Sequence, residues 1–136
     1  MAIIWGDYLS THIEWIDEQH KELFRRLNAF LDACDQGKGQ EDLLGLLRFL
    51  DDYIDAHFSD EERFMKEEGY SQVEMHIRLH RGFVREMSDF KRRFLKGADP
   101  SLLADIGKFT VSWLLDHIAR KDKDFAVEIL TKKMTR

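Results

Sequence analysis

Seven residues of metal-ligating type fall on four segments that read as helices, placed toward what should be the buried faces: His20, His57, Glu61, His76, His80, His117 and Asp122. They include five of the six histidines. His57 and Glu61 stand at i and i+4, as do His76 and His80, so each pair shares one face of a helix and can converge on one small volume. A lone histidine on an apolar face is usually a core residue with a nearby hydrogen-bond partner. Five of them, spread over four segments, would each need a separate buried partner. Glu61 sharpens the case. It falls in phase with Ile54, His57, Phe58 and Phe64, whereas Asp60 and Glu62 fall off that face, and no lysine or arginine shares it nearby. An ionised carboxylate in an apolar stripe needs a cation, which a metal supplies.

Asp122 fits less simply. It is the fifth residue after His117, which is about 140° of rotation on an unbroken α-helix. Either it is an exposed charge of the run Arg-Lys-Asp-Lys-Asp, or the helix loosens, ends or widens near Ala119 to Lys121. Spacing leaves both open. Seven protein ligands exceed what one six-coordinate ion takes, so two ions are implied. If both carboxylates bridge and one solvent-derived oxygen is shared, five histidines leave one position of two octahedral ions vacant. Such a vacancy in an apolar box suits a small ligand such as O2. Imidazole and carboxylate donors without thiolate suit iron ahead of manganese or zinc. Cys34 lies 14 residues beyond His20, about 20 Å along a helix axis, and reads as core packing.

The elements that must position these groups are legible from apolar periodicity. Residues 1–16 show no sustained period and read as an N-terminal arm laid on the body by Ile4, Trp5, Tyr8, Trp15 and Ile16. Asp17 reads as an N-cap, with Ile16 as a hydrophobic staple. Leu23, Phe24, Leu27, Phe30, Leu31 and Cys34 then recur at helical spacing until Gly37. A second helix carries Leu43, Leu46, Leu47, Leu50, Ile54, His57, Phe58, Glu61, Phe64 and Met65, and Gly69 closes it. Ser71 with Glu74 has the form of a capping box for a third helix, whose stripe runs Val73, His76, Ile77, His80, Phe83, Val84, Met87, Phe90 and Phe94. Asp99 and Pro100 start a fourth as N-cap and first residue, with Leu103, Ile106, Thr110, Trp113, Leu114, His117 and Ile118 inward. Phe125 to Leu130 should dock as a short C-terminal helix. The expected fold is all-α: an up-down-up-down antiparallel four-helix bundle over residues 17–136, a single domain with its arm.

Bulk composition narrows the function classes. A net charge of -5 offers no basic face for nucleic acid or an anionic membrane. No apolar run approaches the roughly 20 residues of a membrane span. With one cysteine no internal disulfide forms, and no signal-peptide pattern opens the chain, so a cytoplasmic location is expected.

With these residues in view, the chain resembles a hemerythrin of the bacterial single-domain type. The resemblance rests on Ile-Asp-Glu-Gln-His20-Lys-Glu-Leu-Phe, His57-Phe-Ser-Asp-Glu61-Glu, His76-Ile-Arg-Leu-His80 and Trp113-Leu-Leu-Asp-His117-Ile-Ala-Arg-Lys-Asp122, in family order, with Trp5 near the start. It implies two non-haem iron ions. His76, His80 and His117 would hold one that is coordinatively full; His20 and His57 would hold the other, with the open position. Glu61, Asp122 and an oxo or hydroxo group would bridge them. It also implies reversible O2 binding, as a hydroperoxide on the two-histidine iron, in a pocket walled by Leu23, Phe58, Trp113, Leu114 and Ile118. Two departures stand out. His12 sits where related sequences often have a small residue, and is expected outside the bundle. Phe125 stands where many have a tyrosine, so no hydroxyl can reach the bridge from there.

The leading expectation is an O2-binding protein for storage, delivery or scavenging, and not an enzyme. The alternatives are a di-iron enzyme handling O2, peroxide or nitric oxide, and an oxygen or redox sensor acting through a protein partner. No further acid or base falls in phase with the seven, which counts against the enzyme. A purely structural metal site is disfavoured by the vacancy.

Overall fold

A computed structural model describes residues 2–135, and among them every regular element is helical. After a 3-10 turn (Asp7–Leu9) come α1 (Glu14–Asp35), α2 (Gln40–Glu68), α3 (Val73–Lys96) and α4 (Pro100–Asp116). A π-helical turn (His117–Asp122) then leads without a break into α5 (Lys123–Met134). Consecutive long helices pack side by side. The links between them are three or four residues long, which forces each helix to run back along its predecessor and gives the up-down bundle. The first and fourth helices close it where Gly107 faces Leu31: a Cβ on Gly107 would stand 3.1 Å from Leu31 Cδ2.

Several terminators act as their residue types dictate. Gly37 and Gly69 adopt φ of 69° and 70°, the left-handed conformation that ends a helix and that glycine takes without a Cβ penalty. Asp99 accepts a hydrogen bond from Leu102 N at 2.8 Å, with Pro100 as first residue of α4.

Two expected caps are not formed. The first helix starts at Glu14, three residues before Asp17. Instead of capping, the Asp17 carboxylate reaches back to the arm, accepting from Thr11 N and Thr11 Oγ1 at 2.8 Å each and from Ser10 Oγ at 2.6 Å. Ser71 lies one residue outside the N-cap, Gln72, and gives both its N–H and its hydroxyl to Glu128 of α5, so no capping box exists. Asp17→Ala should therefore free the arm and cost about 1–3 kcal/mol, from donors left unsatisfied. Urea denaturation of the variant checks this.

The arm docks by other residues than expected. In extended chain alternate side chains face opposite ways. Ile3 is buried and Trp5 half-buried, while Ile4 and Tyr8 are 81% and 60% exposed. Asn28 holds Ile3 by both backbone groups, accepting from its N–H at 2.8 Å and donating to its carbonyl at 2.9 Å. Leu9 enters the core from the 3-10 turn. Trp15 and Ile16 belong to α1 itself; Trp15 packs edge-on against Phe64. On α3, Val84 faces out. Along α4 and into the π turn the buried row is Leu102, Ile106, Thr110, Leu114 and Ile118, a strict i+4 series that leaves Leu103 half-buried at its side.

The apolar interior is in two parts. The larger includes Leu23, Leu27, Phe30, Leu47, Leu50, Phe58, Phe83 and Leu114; the smaller is Ile16, Met65, Tyr70, Phe125 and Ile129. On α1 the polar His20 lies between members of the two parts, and on α2 His57 and Glu61 do the same. The seven residues form a polar layer between two dry regions. That layer is where the fold must account for buried charge.

Candidate metal centre

All seven residues arrive at one place. Their relative exposures run from 0% to 5%. His57 Nε2 lies 3.2 Å from Glu61 Oε2, and His20 Nε2 lies 3.8 Å from that oxygen and 3.1 Å from Asp122 Oδ2. On the other side, His76 and His80 approach Glu61 Oε1 at 2.9 and 3.2 Å, and His76 and His117 approach Asp122 Oδ1 at 3.1 and 3.3 Å. Each carboxylate thus turns one oxygen to each half. The ligand atoms fall into two overlapping groups, one with three histidines and one with two, that share Glu61 and Asp122.

Asp122 reaches the cluster because the chain widens at His117–Asp122. The π turn's i→i+5 bonds stack residues five apart, which an α-helix would not do. Of the three local solutions that the spacing allowed, widening is the one adopted. It also lets α5 continue the line of α4 and bury Phe125, Ala126 and Ile129.

The donor set fits metal ions better than it fits itself. His20 and His57 point their Nε2 atoms at each other at 3.1 Å; His117 does so with His80 at 3.2 Å and with His76 at 3.1 Å. At most one proton can sit between two such nitrogens, so the remaining lone pairs face one another. Around an octahedral ion with donors at about 2.1 Å, neighbouring donors lie about 3.0 Å apart, the spacing found here. Glu61 Oε2 and both Asp122 oxygens are buried and accept no hydrogen bond of good geometry among the described residues. Orphaned buried oxygens of this kind call for an ion.

Protonation in the absence of an ion points the same way. Burial opposes charge on His20 and His76, but the Asp122 and Glu61 carboxylates close beside them outweigh it and raise both to about 9. Burial likewise favours the neutral acids, yet the surrounding imidazoles hold Glu61 and Asp122 well below the usual carboxylate range. Burial pushes His117 down. Protons on His20 and His76 therefore stand in for cations and must leave when metal binds. For the metal-free chain, this pairing contributes stability in full below about pH 6.5 and loses it as the pH rises through about 9. Thermal melts of chelator-treated protein should fall over that window, whereas affinity for a divalent metal should rise over it.

Residues outside the seven orient them. His57 Nδ1 donates to Gln19 Oε1 at 2.7 Å, and Gln19 donates from Nε2 to Asp60 at 3.0 Å. His80 Nδ1 donates to Glu62 Oε2 at 2.7 Å. Apolar periodicity does not report Gln19, and it puts Asp60 and Glu62 off the buried face of α2. The available signal was adjacency, since polar neighbours of a ligand on a helix flank its face. Phe58 stacks on His80 at 3.8 Å between centroids and 5° between planes, and Trp113 on His117 at 4.4 Å and 12°. Leu23, Leu114 and Ile118 are buried in the larger apolar region, and Trp113 is half-buried against it. His12 is exposed at φ 61°, apart from the cluster. Phe125 meets His76 edge-on at 6.0 Å.

The family profile of the hemerythrin HHE cation binding domain matches residues 11–129. The chain belongs to the hemerythrin family. It is similar to a bacteriohemerythrin of Pseudomonas paraeruginosa, with 35% identity over 124 residues, covering 90% of this chain and 78% of that protein. A bacteriohemerythrin of Stenotrophomonas maltophilia is 30% identical over 128 residues, 93% and 81% of the two chains. In three dimensions the fold resembles the crystal structure of a wild-type hemerythrin. The TM-score is 0.83 at 27% identity, with 93% of this chain and 96% of that one covered. Hemerythrins bind O2 at a di-iron centre, and this member carries a buried histidine and carboxylate cluster of the matching composition. No helix among its described residues is long and apolar enough to cross a membrane.

Proposed function

We propose that this hemerythrin binds O2 reversibly at two iron ions, as a protein of storage, delivery or scavenging and not as an enzyme. His76, His80 and His117 would hold one ion, His20 and His57 the other, and Glu61 and Asp122 would serve both. The observation that carries this reading is the division of each carboxylate between the two histidine groups, one oxygen to each. Two carboxylates divided in this way would hold two ions together, and the side with two histidines, His20 and His57, would be the one with fewer protein donors. When bound, the ion pair supplies the electrons and the open position that O2 requires.

The chain's own side chains do the rest. Glu61 and Asp122 balance the ions' charge inside a low-dielectric layer, where an uncompensated charge would be costly. Leu23, Phe58, Leu114 and Ile118, with Trp113 at the rim, keep water and protons away, which favours release of the ligand unchanged over its loss as reduced oxygen.

An absorption spectrum of the reduced protein, recorded without air, after air and after removal of oxygen, tests the reading. A visible band that appears and disappears with oxygen, at two irons per chain, is expected. One ion per chain, a zinc-only site, or irreversible oxidation on first exposure would overturn it.

A further inference from the structure

The two halves of the cluster are steered from outside by acceptors of different charge. His57 gives its Nδ1 proton to a neutral amide, Gln19, whereas His80 gives its own to a carboxylate, Glu62, each at 2.7 Å. Both bonds place the proton on Nδ1 and aim the Nε2 lone pair into the cluster. They differ in what they do to that lone pair. A carboxylate draws the shared proton more strongly than an amide, leaving more electron density on the imidazole and making it a more basic donor. His80 faces the Glu61 oxygen shared with His76, and His57 faces the other oxygen. A directly bonded carboxylate of this kind therefore acts on one half only, since Asp60 reaches His57 only through the Gln19 amide. Phe58, stacked flat on His80, holds the ring so that Nδ1 stays on Glu62. Glu62 is itself 26% exposed, so water compensates its charge and no buried partner is needed.

We propose that Glu62 is a positioning residue that makes the half built from His76, His80 and His117 the electron-richer one, so that its ion is the more readily oxidised of the pair. This rests on the two-iron reading above. Gln19, kept neutral and tied to Asp60, leaves the other half poorer in electrons.

The test is Glu62→Gln, which keeps side-chain length and an acceptor oxygen and removes only the charge. Iron content is measured first, then the midpoint potentials by redox titration followed in the visible spectrum. With two irons retained, the ferric-to-ferrous ratio at a given potential should fall about tenfold or more, a rise of about 59 mV for one electron. Gln19→Glu with Asp60→Asn adds a carboxylate to the other half and should move the midpoint the opposite way. This second variant decides the matter if Glu62→Gln sheds iron. An unshifted midpoint in iron-replete Glu62→Gln, or a Gln19→Glu double variant that does not fall, overturns the inference while leaving the two-iron reading intact. A wild-type protein that takes up no iron defeats both.

Discussion

Glu61→Gln should lose the two-ion centre. The side chain is fully buried and its two oxygens serve opposite halves, Oε1 toward His76 and His80 and Oε2 toward His57. An amide keeps the volume but offers one acceptor oxygen, and its NH2 would point a proton at whichever half it faced. Iron content should drop from two per chain to one or none, read by metal analysis after reconstitution. The same change acts on the metal-free chain. Glu61 is one of the two groups that raise His20 and His76 to about 9. Removing one partner of a buried charge cluster costs about 3–5 kcal/mol. Part of that is recovered when the imidazoles shed their protons, so the loss should be largest below about pH 6.5 and smaller above about 9. A variant that retained two irons would remove the bridging role assigned to Glu61.

Phe58→Ala should act through packing. The ring is 4% exposed, stacks on His80, meets Phe83 edge-on at 5.8 Å and lies 5.8 Å from Trp113. Truncating a buried phenylalanine costs about 3–5 kcal/mol, the transfer term plus the cavity left behind. In a domain of this size that lowers the melting temperature on the order of 10 °C. Because the ring also covers one face of the cluster, the cavity would admit water beside His80. Oxidation of the reduced protein in air should then become faster and less reversible than in wild type. Calorimetry reads the first effect and repeated oxygenation cycles the second. Phe58→Leu refills most of the cavity and should restore the melting temperature more fully than the reversibility.

What the sequence by itself determined follows from interactions that are local along a helix. A 3.6-residue period places His20, His57, Glu61, His76, His80 and His117 on the same faces as the leucines and phenylalanines around them. Since apolar faces must be buried, six of the seven could be assigned inward positions without knowing any neighbour. Helix ends set by Gly37, Gly69 and the Asp99–Pro100 pair were legible for the same reason: they depend on backbone conformation within one turn.

Tertiary structure alone decided the rest. Asp17 and Ser71 carry the composition of caps, but Asp17 bonds to the arm and Ser71 to α5, because longer-range partners offered better-placed hydrogen bonds. The arm's docking by Ile3 and Leu9 rather than Ile4 and Tyr8 depended on where Asn28 sits on α1. Gln19 and Glu62 lie off the buried faces of their helices and act across a gap to another helix, which no periodicity reports. Asp122 is the clearest instance. Five residues after His117, it could face water on an α-helix or the cluster on a π turn. The widened turn is adopted with α5 packed onto the bundle and the imidazoles of His20 and His76 close enough to receive the carboxylate, and neither condition exists in the isolated segment.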